Sequence, residues 1–518
     1  MRVAEAQRDM RGGLPLSSEF MNALATVEAQ LPVLDWRVGG IAVWPLVRVR
    51  WMFAEFTAAK QRAEVGPTPS VSAVSRLRAM ASGAMRGFTD SILHARDRDR
   101  GPVRRDLVFL SDGLSFARIG PHWVERFCDP LIADASANGL SSALWTPLHT
   151  YRRPLHTPSR SVQAGVDRAT VRAMLRRAPL PAVLPMREEA CEVLSRAGFG
   201  ASSLALAKIL SDAARLRAVA DFYRAKLERT RPKLAMLVSY YSLEGFAFVL
   251  ACRESGVPVV DLQHGVQGSM HPAYAAWPRP KDRTHPLLPD YFWVWSDWER
   301  EVISQWSVDT THSAVVGGNP WMNVWRDSTA WPGSAAALTA GRELKARSGH
   351  RPVVLVTLQF GFAPADQIDP LARLIEHAAD RFAFWVRLHP VMLAEREAVR
   401  SRLGNPERFL LDEPTDLPLQ ALLPSIDLHL THSSSTVIEA AQFGVRSVLT
   451  TQWGAELFEP SIEQGWAHLE TGDEIQLAAT LERVLALGRG GDLAESAQRS
   501  ALVELIEQAT DRRTRERT

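Results

Sequence analysis

The sequence predicts an α/β protein built from two doubly wound, Rossmann-like domains facing each other across a cleft, with a helical extension at its N-terminus. Three observations predict this. From about residue 106 onward, short apolar runs alternate with helical stretches of ten or more residues. Strands separated in that way pair in parallel, with right-handed crossovers. The alternation comes as two series, separated by residues 331–352, which read as a connection with a short helix. A chain of 518 residues is also too long for one ordinary core. The expected boundaries are 1–105 for the helical extension and linker, 106–335 for the N-terminal domain and 336–518 for the C-terminal domain.

Taken in order, residues 20–62 read as helical, with apolar and aromatic positions interspersed with Arg. Residues 64–75 carry Pro, Gly and Ser and read as a linker; residues 75–105 read as irregular or loosely helical. The first strand is 106–112, followed by a turn-rich loop and a helix from Trp123 that ends at Gly139. Residues 142–147 form the next strand, and residues 151–186 show no usable period. A long amphipathic helix over 201–232 precedes a strand at 233–241, a helix at 242–256 and a strand at 257–265. Strand, helix and strand follow at 291–297, 297–306 and 313–320. In the second series, strands are expected at 353–360, 382–390, 409–414, 427–434, 446–451 and 467–472, with helices between them.

Composition narrows the class. A formal charge of +2 does not call for a nucleic-acid partner. Cys128, Cys191 and Cys252 lie far apart without metal-ligand spacing and read as buried free thiols in a reducing compartment. No apolar run approaches a transmembrane length, and the first residues lack the apolar stretch of a signal peptide. A cytoplasmic protein is expected. The Trp- and Arg-containing stretch from Trp44 to Arg62 has two readings: an interfacial helix on the inner face of the plasma membrane, or a helix packed on its own domain.

The most informative segment is Phe382 to Gly444. One strand ends in Arg387, His389 and Pro390; another ends in Ser433, Ser434, Ser435 and Thr436 at a helix start. Helix N-termini favour anions through their free N–H groups and dipole, and hydroxyls and an imidazole add donors. His389 suits donation to, or protonation of, a leaving phosphate. Arg387 alternates onto the same face as His389 and pairs with a phosphate or with an internal carboxylate. Glu439, in an otherwise apolar helix, needs a partner, either ribose hydroxyls or a neighbouring Arg. His432 lines the same pocket or is structural. In the N-terminal domain, His264, Asp112 and Glu244 stand at strand ends. His264 is flanked by Gly265 and Gly268, Asp112-Gly113 is also a common turn pair, and Glu244 opens a helix. His271, Tyr274 and Trp277 form an acceptor wall or a self-packed loop. No Asp-x-Asp or His/Cys cluster with metal spacing accompanies these residues, so metal-independent chemistry is expected.

This order of features resembles the GT-B superfamily of nucleotide-sugar glycosyltransferases. Within it, the likeness is to bacterial capsule, lipopolysaccharide and teichoic-acid enzymes and to bacterial sialyltransferases. Arg387, His389 and Pro390, Ser433 to Thr436 with Glu439, and His264 with Gly265 carry the resemblance, over about residues 106–518. It implies a GT-B-like fold with a nucleotide-sugar donor as substrate rather than cofactor. It also implies a glycan or lipid-linked glycan acceptor and polysaccharide biosynthesis as the setting. Donor binding would fall to Arg387, Ser433, Ser434, Ser435, Thr436 and Glu439, catalysis to His389 with His264 or Asp112, and acceptor binding to Glu244 and His271. The alternatives are a nonhydrolysing nucleotide-sugar epimerase, a CDP-glycerol-type phosphotransferase, and a non-catalytic nucleotide-sugar-binding scaffold protein.

Overall fold

The computed structural model describes residues 17–63, 104–147, 154–175, 180–326, 331, 333–490 and 498–515. The expected linker at 64–75 and the stretch up to residue 103 lie outside them.

The N-terminal sheet has seven strands: β1 Leu107–Leu110, β2 Ser142–Thr146, β3 Ser159–Ser161, β4 Leu234–Val238, β5 Val259–Leu262, β6 Tyr291–Val294 and β7 Ser313–Val316. Their spatial order is β3-β2-β1-β4-β5-β6-β7, and every pairing is parallel. The C-terminal sheet has six: β8 Val353–Thr357, β9 Ala383–Arg387, β10 Phe409–Leu410, β11 Leu428–Thr431, β12 Ser447–Leu449 and β13 Ala467–Leu469. Their order is β10-β9-β8-β11-β12-β13, again all parallel. Each sheet thus reads outward from its first strand in both directions, the doubly wound arrangement. The central strands β1, β4, β5 and β8 are buried at every position, as expected where helices cover both faces of a parallel sheet. Two doubly wound domains, the arrangement of the GT-B fold, are therefore present.

Among the helices are α1 Ser18–Gln30, α2 Trp44–Ala63, α3 Cys128–Ala137, α4 Leu206–Thr230, α5 Leu243–Glu254, α6 Asp297–Ser307, α7 Pro364–Ala378, α8 Thr436–Gln442, α9 Glu474–Ala486 and α10 Gln498–Arg515. The extension is not a separate unit. Phe20, Leu24, Trp44, Val47 and Trp51 share one buried cluster with Val108 and Leu237 of the sheet. This corrects the interfacial reading of α2: its apolar residues from Trp44 to Met52 face the core. Arg48, fully buried on that helix, pairs with Glu28 of α1 at 3.0 Å and donates to the carbonyl of Ala275 at 2.8 Å.

Other expectations shift in detail. A helix was expected from Trp123, but His122–Glu125 pairs with Phe116–Ile119 as a hairpin and α3 begins at Cys128. The cause is Glu125, whose carboxylate accepts from the amides of Phe127 and Cys128 and stops the strand there. The unassigned stretch after residue 151 contains β3, a helix over Gln163–Met174 and a short strand, Ala182–Val183, that pairs with Arg37–Val38. Cys128 and Cys252 are buried, whereas Cys191 is half-buried. Finally, α10 leaves the C-terminal domain: Leu502, Leu505 and Ala509 pack with Phe127, Leu131 and Trp293 of the N-terminal domain.

Candidate functional site

Ligands of doubly wound sheets sit outside the carboxyl ends of the strands, where the strand order reverses. In the N-terminal domain that point lies between β1 and β4, with β5 alongside. Leu110 is level with Leu237, and Leu262 with Val238, so the three strands end on one rim. Asp112, Tyr241 and His264 follow directly from these ends. Ser239, the first residue after β4, has φ +65°, in the left-handed region, and the chain turns there just before Tyr241.

A cavity of about 220 Å³ opens at this rim. Tyr241, His264, Gln267, His271 and Tyr274 line it from the N-terminal domain, and Ser435 lines it from the C-terminal domain. The loop after β5 therefore spans the cleft. Its Val266 and Met270 pack on Val437, Leu449 and Phe458 of the C-terminal domain. The loop is tied down from below by Asp261, which accepts from the Tyr240 amide and the Tyr274 hydroxyl, both at 2.8 Å. Burial pushes the Asp261 carboxyl up to about 7 despite these bonds.

The histidines here are held neutral. His264 Nδ1 lies 3.2 Å from the Leu262 carbonyl, which can only accept, so Nδ1 carries the hydrogen. Its Nε2 accepts from the Tyr241 hydroxyl at 3.0 Å. Burial lowers its pKa, partly countered by the Asp112 carboxylate. His271 has the other tautomer: Nδ1 accepts from the Ala273 amide at 3.2 Å, so Nε2 carries the hydrogen. Burial takes the His271 pKa down to about 3, since a proton there would also oppose one on the neighbouring His264.

Two N-terminal candidates are otherwise engaged. The Asp112 carboxylate accepts from the amides of Leu114 and Ser115 and from the Ser115 hydroxyl, at 2.8 to 2.9 Å, and closes a turn. Glu244 accepts from the Tyr223 hydroxyl of α4 and does not line the cavity. Burial raises its pKa, and nearby Asp167 adds to the rise.

On the C-terminal rim, Arg387, Thr357 and Thr431 stand level on β9, β8 and β11. His389 and Ser433 each lie two residues further on, so the two motifs are separated by two strand spacings, roughly 9–10 Å. The loop after β8 runs between them. Phe360 packs on His389 at 4.6 Å and Phe362 on His432 at 5.0 Å between ring centroids. His389 Nδ1 accepts from the Val391 amide at 3.2 Å, so Nε2 is a donor, and burial lowers its pKa. His432 is structural, joining Thr450 and the Asp366 carbonyl, with burial taking its pKa to about 4.

The Ser-rich turn orders itself: the Ser434 hydroxyl donates to Thr436 Oγ1 at 2.9 Å and accepts from the Thr436 amide at 3.3 Å. Ser435, at the helix start, makes no capping bond with its side chain. Arg387 is committed to the backbone, donating from Nη1 to the carbonyls of Pro414 and Leu417 at 2.5 and 2.6 Å. Burial brings its pKa down to about 10, although Glu439 opposes the fall. Glu439 takes a hydrogen bond from Gln420 at 2.7 Å. Burial raises its pKa against the pull of Arg126, across the cleft, and Arg387. Its hydrogen-bond partner in the fold is Gln420, and Arg126 and Arg387 act on it through their charge. No group of three or more metal-ligating side chains occurs among the described residues.

The structure brings His264, His271 and Ser435 to one cavity and sets His389 on the opposite rim beside the loop after β8. Sequence reasoning passed over Tyr241, Gln267, Phe360 and Phe362. For Tyr241, Phe360 and Phe362 the signal available was an aromatic residue just beyond a strand end.

The fold and cleft define a two-domain α/β protein of GT-B arrangement, with strand-end loops of both domains facing a shared cavity. No family model and no curated protein matches the sequence. Solved structures similar in shape include one described as an S. aureus MnaA–UDP co-structure, 13% identical, covering 79% of this chain and 97% of that one at a TM-score of 0.48. Another is a putative UDP-N-acetylglucosamine 2-epimerase from Listeria monocytogenes, 14% identical, covering 79% and 98% at 0.49. A third is the wall teichoic acid polymerase TagF, 10% identical, covering 84% and 98% at 0.45. The fold assignment rests on strand order rather than on these distant likenesses. No described helix is long and apolar enough to cross a membrane.

Proposed function

We propose that this protein is a glycosyltransferase that moves a sugar from a nucleotide-sugar donor to a surface-glycan acceptor without a metal ion. The observation that carries the reading is the cavity at which a C-terminal strand-end hydroxyl, Ser435, meets the N-terminal loop bearing His264 and His271. In this reading the donor diphosphate lies on the C-terminal rim between Ser433 to Thr436 and the Nε2–H of His389. The acceptor enters from the N-terminal side.

An acceptor oxygen bonds to the anomeric carbon as the bond from that carbon to the phosphate oxygen breaks. The acceptor proton passes to the Tyr241 oxygen while the Tyr241 proton passes to His264 Nε2, along the existing hydrogen bond. The departing phosphate keeps the electron pair, and its charge is met by donors rather than by a cation. Asp112 serves by holding its loop, and its carboxylate favours a proton on His264.

A thermal-shift screen with CMP, CDP, UDP and GDP tests the donor side, because a ligand of the folded state raises the melting temperature. At least one should do so. His389→Ala should lower turnover about 10²–10³-fold without lowering the melting temperature. Undiminished turnover would remove His389 from the reaction. Product formed from donor alone, with no acceptor, would make the enzyme an epimerase instead.

A further inference from the structure

The loop from Gln263 to Trp277 satisfies its buried polar side chains within the described residues, with one exception. Gln263 bonds Glu299, the Gly265 carbonyl and the Trp295 amide. The Ala273 carbonyl takes the Trp277 indole N–H and the Tyr240 hydroxyl, and the Tyr274 carbonyl takes the Trp306 indole N–H. Arg48 holds the carbonyls of Ala275 and Ala276. Gln267 is the exception. It lines the cavity and is 1% exposed, yet neither its amide oxygen nor its amide nitrogen has a partner among the described residues.

Buried polar groups are almost always hydrogen-bonded, and an orphaned one calls for an explanation. A primary amide offers a donor and an acceptor side by side. The ligand that satisfies it presents an acceptor and a donor side by side in turn. The surrounding cavity narrows its chemistry. Tyr241, Tyr274 and His271 contribute rings, and the His271 Nε2–H adds a donor. No Lys or Arg lines the cavity, so nothing there neutralises a phosphate or carboxylate. Its volume of about 220 Å³ falls below the roughly 300–1,000 Å³ of sites for whole drug-sized ligands, so it takes one ring rather than a complete nucleotide sugar. A neutral ring with adjacent hydroxyls on its edge and C–H faces for aromatic walls is a pyranose.

We infer that this cavity is a monosaccharide subsite in which the Gln267 amide clasps two adjacent hydroxyls of a sugar ring. The inference deepens the proposed glycosyl transfer by naming the chemistry of the group held on the N-terminal side. That ring is either the terminal sugar of an acceptor or the sugar carried by the donor.

The test measures binding of methyl hexosides to the full chain by NMR titration, for the natural protein and for Gln267→Met. At least one hexoside should bind the natural protein, and Gln267→Met should weaken it tenfold or more. The melting temperature without sugar should hold or rise, because an apolar side chain of similar length needs no partner. If Gln267→Met instead weakens a nucleotide sugar but not the free nucleoside diphosphate, the ring is the donor's and the subsite stands. Hexoside and nucleotide-sugar affinities both within twofold of the natural protein overturn the inference. So does a natural protein that binds neither. Should Gln267→Met melt early, monodeoxy hexosides on the natural protein decide. Tenfold losses at two adjacent positions support the clasp, because a site built to bond a hydroxyl rejects the analogue lacking it. A flat response overturns it. Hexoside binding with no response to any nucleotide would leave the subsite intact and sink the transferase reading.

Discussion

At the residue scale, the N-terminal rim is controlled by carboxyl groups that the fold buries beneath it. Glu125, wholly buried, caps the start of α3 and accepts from Ser111 at 3.2 Å. Burial, with the charge of Asp112, raises its pKa from an ordinary 4.5 to about 8. Between those values the folded chain holds a proton that the unfolded chain has released, so stability falls as pH rises. Between pH 7 and 8 Asp261, with a midpoint near 7, still titrates, and Lys226, lowered by burial to about 8, acts in the opposite sense, so the part due to Glu125 is read as the difference between the natural protein and Glu125→Gln. Across that interval, the natural protein should lose stability with a slope from this group approaching 1.4 kcal/mol per pH unit. Glu125→Gln should flatten that slope in urea titrations; an unchanged slope would show that Glu125 is ionised. The histidines act in the opposite sense and lower down. His432, with a folded pKa of about 4 against an ordinary 6.5, loses stability as pH falls through that interval.

At the element scale, the N-terminal helices buttress from behind the loops that line the site. Arg48 of α2 sits 4.1 Å over the Trp277 ring while it holds the Ala275 and Ala276 carbonyls. Phe53, one and a half turns further along α2, stacks on Tyr241 at 6.2 Å. The helix therefore fixes the far end of the loop that begins at the cavity. Removing one partner of a buried pair strands the other charge, so Arg48→Met should cost about 3–5 kcal/mol. The double variant with Glu28→Gln should recover much of this loss in a double-mutant cycle read by chemical denaturation. A cycle in which the two losses simply add would mean that the pair is not coupled.

At the scale of the whole molecule, the chain closes on itself. After the C-terminal sheet is complete, α10 returns to bury Leu502 and Leu505 against the N-terminal domain. The crossing joins the two domains a second time, in addition to the Val266 and Met270 contacts. Truncation after Gly490 should cost roughly 3–6 kcal/mol, taking about 1.5–3 kcal/mol for each buried leucine. It should also uncover apolar surface on the N-terminal domain that binds a hydrophobic dye. A truncated chain that melts at the same temperature would show that α10 adds nothing to the joint.

The alternation of apolar runs and helical stretches was enough to read both sheets apart from the polar edge strand β3, because strands buried on two faces are apolar throughout and their crossovers have a minimum length. The strand ends at His264, His389 and Ser433 were legible for the same reason: a polar residue directly after such a run must lie at a rim. The hairpin over Phe116–Glu125 and the short strand Ala182–Val183 were not legible, because their pairing depends on partners brought in by the rest of the fold. The state of each side chain was also beyond the sequence. Whether Asp112 closes a turn, Arg387 holds a loop or Gln267 is left without a partner depends on which atoms come within about 3 Å of it. That is decided only when segments distant in sequence pack together.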